Sequence, residues 1–183
     1  MNIFSKIKFS FIIFIPILFL LFGCKNTQKN TNLNVDLPQH ITYSGRGVAA
    51  GIALMGVIGP SGIAIGAAID IGIGKDIQSI NSKTSLLSAI TKTVSDYNYS
   101  QDNAIIDVDL KKIEFKQKDG DESVFLLING VITLATGEKF NFNVESDEIY
   151  ELTKLKTKQN YANEIAISKL NELINNLNHT FIT

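Results

Sequence analysis

An α+β fold is what this sequence predicts, and three observations predict it. Apolar residues first recur at helical spacing, then alternate at strand spacing through three segments, then return to helical spacing. Ile77, Ile80, Leu87, Ile90, Val94 and Tyr97 fall on one side of a helix spanning residues 77–97. From Ala104 to Lys116 the period becomes two, with Ile106, Val108 and Leu110 facing one way and Asp107, Asp109 and Lys111 the other. Ile113 and Phe115 then change parity, which places a β-bulge near Lys111-Lys112. Lys118-Asp119-Gly120-Asp121 turns the chain into Val124–Leu134, apolar on both faces and therefore the central strand. After a turn at Thr136-Gly137, Phe140, Phe142 and Val144 alternate with Asn141, Asn143 and Glu145. A last helix, residues 151–178, carries Tyr161, Ile165, Leu170, Leu173, Ile174 and Leu177 on one face. Residues 77–183 thus predict a two-layer α-β-β-β-α domain, an antiparallel three-stranded meander with both helices on one side. Its uncovered face would present Phe125, Leu127 and Val131, a candidate contact surface unless the preceding segment covers it.

Composition excludes several classes of protein. The 17 basic residues are balanced by 18 acidic ones, so no nucleic-acid partner is expected. A single cysteine rules out an internal disulfide, and with only His40 and His179 no zinc site of Cys and His ligands is expected.

At the N-terminus Lys6 and Lys8 precede an uncharged apolar run, Phe9 to Phe22, interrupted by Pro16. As a helix this run would reach about 20 Å, short of a ~30 Å hydrocarbon core, and so reads as an export signal over residues 1–23. The alternative is a signal anchor that stays uncut. The sequence that follows, Leu21-Phe22-Gly23-Cys24, resembles the lipobox of bacterial lipoproteins. Leu21, Gly23 and Cys24 match the pattern; Phe22 is bulkier than the residue usual there. The resemblance implies cleavage before Cys24 and a diacylglyceryl group on its sulfur, hence a membrane partner through an N-terminal lipid. In that family an Asp after the Cys favours inner-membrane retention. Lys25 stands there instead, which implies an outer-membrane, periplasm-facing address in a two-membrane cell. Residues 24–43 begin with a polar stretch rich in Asn, Thr, Gln and Lys and read as a flexible tether.

Residues 44–76 are the unusual part. No charge occurs from Gly47 to Ile69, and small residues recur at four-residue spacing: Gly47 with Gly51, Gly62 with Gly66, and the Ala64, Ala68, Gly72 series. Helices with such smooth faces approach closely, which is what holds them together in lipid. In water each glycine would cost a helix about 1 kcal/mol relative to Ala. Gly59-Pro60-Ser61-Gly62 is a turn signal between two arms. The pattern resembles the glycine-zipper hairpins of bacterial envelope lipoproteins. Three placements follow: a hairpin inserted in or against a membrane or oligomerised, one kinked span through Pro60, or burial in a soluble core. Asp70 is a possible intramembrane polar residue facing an oligomer axis or cavity. Its simpler place is the interface or water, near Lys75 and Asp76.

Motifs that carry chemistry do not complete. Gly45-x-Gly47-x-x-x-Gly51 with Asp70 downstream superficially matches a dinucleotide loop, but a poor strand precedes it and Gly59-Pro60 interrupts what should follow. Gly72 to Asp76 lacks the first Gly and the final Ser or Thr of a P-loop, and Asp119 to Glu122 lacks the ligand spacing of a calcium loop. No Ser lies in a G-x-S-x-G elbow. No catalytic residue, cofactor or metal is therefore expected. The expectation is a non-enzymatic envelope lipoprotein serving as a membrane-anchored assembly, stabilisation or accessory subunit, with an envelope protein or a second copy as partner. The competing expectation is a channel- or ring-forming oligomer built on the Gly-rich segment. A third, a domain binding a lipid or small molecule, would need a deep apolar pocket.

Overall fold

The computed structural model describes residues 32–100, 103–118 and 122–180. The expected signal peptide, Cys24 and the tether as far as residue 31, the turn residues Asp119, Gly120 and Asp121, and the His179 side chain lie outside the described residues. The chain is α+β, with a mixed six-stranded sheet and five helices among the described residues.

In chain order these are β1 (Asn34–Asp36), β2 (Thr42–Ser44), α1 (Arg46–Ile58), α2 (Ser61–Ser79), α3 (Lys83–Ser100), β3 (Ile105–Gln117), β4 (Ser123–Leu134), β5 (Lys139–Glu145), β6 (Tyr150–Glu151), α4 (Leu152–Thr157) and α5 (Tyr161–Thr180). β3, β4 and β5 form the antiparallel meander, with β4 in the middle. The sheet is wider than a meander, however, because β1 and β2 lie parallel to β3 along its outer edge and β6 pairs with the start of β4. Residues 34–36 and 42–44 therefore leave the expected tether and join the sheet. Short strands of this kind satisfy the backbone groups of an edge that would otherwise stand open. Polar composition hides them, since only Val35 and Tyr43 turn inward, next to Val108 and Phe115.

The long strands follow binary pattern closely. A register shift between Leu110 and Lys112 falls where the change of parity places it, so Ile113 and Phe115 join Val108 and Leu110 in the core. A second shift, between Ile105 and Asp107, turns Ile105 inward in place of Ile106. In β4 burial alternates strictly, with Val124, Leu126, Ile128, Ile132 and Leu134 buried. The opposite face of β4 is not an exposed apolar patch. Phe125, Leu127 and Val131 are half-buried, flanked across the ladder by Lys116, Glu114 and Asp109. Long charged side chains cover apolar neighbours with their stems, and Lys112 pairs with Glu114 at 2.7 Å beside them.

Helices cover the inward face and supply the rest of the core: Ile73 and Ile77 from α2, Leu86, Ile90, Val94 and Tyr97 from α3, Leu152 and Leu155 from α4, and Ala162, Ile165, Ala166, Leu170 and Ile174 from α5. The expected helix over 77–97 is divided. α2 carries Ile77 on to Ser79, and α3 restarts at Lys83 in a new phase, so Leu86 is buried while Leu87 is exposed. Asparagines produce the break. The Asn81 side-chain amide donates to the Ile77 carbonyl at 2.6 Å, and its oxygen accepts from the Asn163 backbone N–H at 3.2 Å. Asn163 in turn donates to the Ser82 carbonyl at 2.9 Å. The α4–α5 link meets the same knot, because the Asn160 side-chain oxygen accepts from the Ser82 N–H at 3.0 Å. Asn160 itself sits at φ 57°, a left-handed position that Asn tolerates.

Asn81 and Asn163 are both buried and fully engaged. Asn81→Ala would strand an amide and a carbonyl, so a loss of about 1–3 kcal/mol is expected. Urea unfolding checks this: the midpoint should fall with the slope unchanged, and an unmoved midpoint would contradict the assignment.

Candidate functional site

α1 and α2 reverse direction at Gly59-Pro60 and run antiparallel, so the chain does not continue as one kinked helix through Pro60. Their separation is set by glycine. A Cβ added to Gly47 would strike the Gly66 carbonyl oxygen, and one on Gly66 would strike the Gly47 carbonyl oxygen. At Gly62 it would lie 2.5 Å from the Met55 nitrogen, and at Gly51 3.2 Å from the Ile63 Cα. Gly47, Gly51, Gly62 and Gly66 thus line the seam of the pair, and all four are buried. Contact this close yields dispersion along two backbones with no side-chain entropy to lose.

Asp70 closes the seam at its base. Its carboxylate accepts from the Gly47 N–H at 2.6 Å and the Gly45 N–H at 3.1 Å, and the residue is 8% exposed. α1 has no capping side chain of its own, because its N-cap position is Gly45 at φ 133°. The carboxylate of the returning helix therefore supplies the acceptor and meets the positive end of the α1 dipole. Asp70 is a buried structural cap.

Two further contacts fix the base to the domain. Gly74 brings α2 against β2, where an added Cβ would lie 3.4 Å from the Tyr43 nitrogen. Arg46 pairs with Glu122 at 3.1 Å, and the other oxygen of Glu122 accepts from the Thr153 hydroxyl at 2.7 Å and its N–H at 3.2 Å. Hydrogen bonding from Thr153, then from Arg46, holds the Glu122 carboxyl below its ordinary range.

Beyond that base the hairpin stands uncovered. α1 packs against α2 and against no other element to a comparable extent. Among the described residues, every exposed large hydrophobic side chain except Leu87, Tyr99 and Ile149 belongs to this pair: Val48, Ile52, Met55, Val57, Ile58, Ile63, Ile65 and Ile71. No charge lies between Gly47 and Ile69 to solvate them. At the tip three backbone bonds close the turn, with the Gly59 N–H donating to Met55, Gly62 to Gly59 and Ile63 to Pro60 at 3.0 to 3.2 Å. Among the described residues no helix is long and apolar enough to cross a membrane.

The sequence marked the seam glycines and Asp70, and the structure brings all five together. It could not mark the capping role, because nothing local to Asp70 says that the Gly45 and Gly47 amides lie beside it. Arg46, Glu122 and Thr153 were missed for the same reason, being distant in sequence. No protein-family model, curated protein or solved structure matches the chain.

Asp70→Ala would leave two amides of the α1 start without acceptors, at about 1–3 kcal/mol each. Amide hydrogen exchange at Gly45 and Gly47 should accelerate while that of β4 stays protected; unchanged exchange would contradict the cap. For Glu122 the lowered folded pKa means that its contribution is present above the unfolded pKa and is lost as pH falls through the folded one. Glu122→Gln should accordingly flatten the acid limb of the stability profile and leave the alkaline side alone, as thermal melts across pH would report.

Proposed function

We propose that this chain is a non-enzymatic envelope lipoprotein, moored by an acylated Cys24 and oriented by the α1–α2 hairpin, which enters one leaflet and holds the α+β domain against the membrane as an accessory or assembly subunit. The observation that carries this reading is the chargeless apolar hairpin standing clear of the domain. With 13 residues α1 is about 20 Å long, enough to fill one leaflet of a ~30 Å core and too short to cross it. Fully burying a large apolar side chain yields about 1.5–3 kcal/mol, so the eight partly exposed ones yield on the order of 8 kcal/mol on entering lipid. That exceeds what a single myristoyl chain supplies. The internal bonds of the Gly59, Gly62 and Ile63 N–H groups lower the cost of taking the turn out of water. The lipobox resemblance and Lys25 add the outer membrane, facing the periplasm, as the address in a two-membrane cell.

The sheet constrains how anchor and hairpin cooperate. β1 enters beside Asp107, whereas Gly45 at the hairpin base lies against Gln117. These are opposite ends of β3, about 33 Å apart at ~3.3 Å per residue. From Cys24 to Asn34 the chain can span at most about 33–36 Å. We infer that a long stretch between Cys24 and Asn34 is needed for both attachments to serve one leaflet.

Deleting Lys25–Asn30 should therefore leave acylation intact but pull the hairpin out of the bilayer, read as loss of protection of Ile58 and Ile63 from a water-soluble label on engineered cysteines. Unchanged protection would mean that the hairpin is buried elsewhere. A ring or channel of associated hairpins is the competing reading, favoured by the outward Gly56 and Gly72, where an added Cβ would meet nothing within 4 Å. Sizing in mild detergent separates the two, a monomeric particle supporting the oriented anchor and a defined oligomer the ring.

A further inference from the structure

The face of α2 beside the seam is hollow along most of its length. A cavity of about 350 Å³ lies at its distal half, lined by Val48, Ile52, Ile63, Ala67 and Ile71 over Gly47 and Gly51. A second, of about 440 Å³, lies at its proximal half between α2 and β2, where Ile41 and Tyr43 line it together with His40, Lys75, Gln78 and Ser79. They share Asp70 and Ile71. On α2 the lining positions 63, 67, 71, 75 and 79 follow at intervals of four, a row that winds about 160° around the helix, and the two cavities meet on it at Asp70 and Ile71 to form one winding groove. At ~1.5 Å per residue it runs about 24 Å.

Both halves are mainly apolar, and Asp70 aside, the charged and polar side chains are confined to the proximal one. The distal half has no polar side chain except Asp70, whose carboxylate oxygens are taken up by the Gly45 and Gly47 amides. At the proximal end stand a lysine, a histidine, a glutamine, a serine and a threonine, and Lys75 and His40 have no ion-pair partner among the described residues. Each half is within the roughly 300–1,000 Å³ of ordinary ligand sites.

We propose that this groove binds one anionic membrane lipid, its acyl chain along Ile63, Ala67 and Ile71 and its phosphate at Lys75 and His40. Charge complementarity selects the headgroup, and the confinement of Lys75 and His40 to one end of an apolar groove selects an amphiphile lying tail outward. That direction is the one the membrane reading requires: the apolar end of the groove points toward the tip, and its cationic end sits at the base, where headgroups would be. The proposal rests on that reading and deepens it by naming a specific lipid site.

The full acylated protein, bound to phosphatidylcholine vesicles containing phosphatidylglycerol with a photoactivatable acyl chain, provides the test. Labelling should concentrate on Ile71 and its groove neighbours over Ile65, which points away from the groove, by about tenfold. Ala67→Trp should reduce it to the Ile65 level. Lys75→Glu should lower labelling by phosphatidylglycerol about fivefold and leave that by an equivalent phosphatidylcholine probe unchanged. Vesicle flotation is read in the same samples. Flotation with equal labelling of Ile65 and Ile71 would overturn the lipid site alone, whereas failure to float would overturn the membrane reading and this site with it. Groove labelling that occurs only in Cys24→Ser protein would identify the protein's own acyl chain as occupant and overturn the bilayer lipid.

Discussion

Everything distinctive in this structure depends on the close approach of two helices whose facing sides are lined by glycine. Gly47 and Gly66 hold the backbones so near that a single methyl on either would meet the opposite carbonyl. Such contact positions Asp70 within hydrogen-bonding range of the Gly45 and Gly47 amides, and the carboxylate then completes the end of α1. Packing and capping are thus one device. The glycines admit the carboxylate, and the carboxylate fixes the register in which the glycines face each other.

That device permits an arrangement that hydrophobic burial would ordinarily prevent. A helix in water normally turns its apolar stripe toward a core and its charges outward. α1 instead has its small residues inward and its large ones outward, with Val48, Ile52, Met55 and Val57 all exposed. The pair does not need a hydrophobic interior of its own, because backbone contact and the Asp70 cap hold it together. Its large side chains are consequently free for another surface. The domain below is conventional by comparison, a sheet with one polar face and one face packed under helices, and its function with respect to the hairpin is to give α2 a rigid footing through Gly74, Ile73 and Ile77.

Much of the domain was legible because binary pattern carried it. The three long strands, the bulge at Lys111-Lys112, the central position of β4 and the inward residues of α5 follow from alternation and helical spacing, which are local. What was illegible depends on partners distant in the chain. β1 and β2 are three residues each and gain their definition only from β3. The helix break at Asn81 needs Asn163, so the apolar spacing across residues 77–97 reads as continuous without it. Phe125, Leu127 and Val131 resemble an open apolar patch until the charged residues opposite them are known from the register.

By itself the sequence determined composition-level and period-level properties: an α+β chain, a chargeless glycine-spaced segment with a turn at Pro60, and no completed catalytic motif. These depend on residue identity and spacing alone. The tertiary structure decided where that segment goes, that its large side chains face outward, and that Asp70 caps α1. Those outcomes depend on which surfaces meet, and surfaces contributed by residues twenty to eighty positions apart acquire an inside and an outside only once the chain has folded.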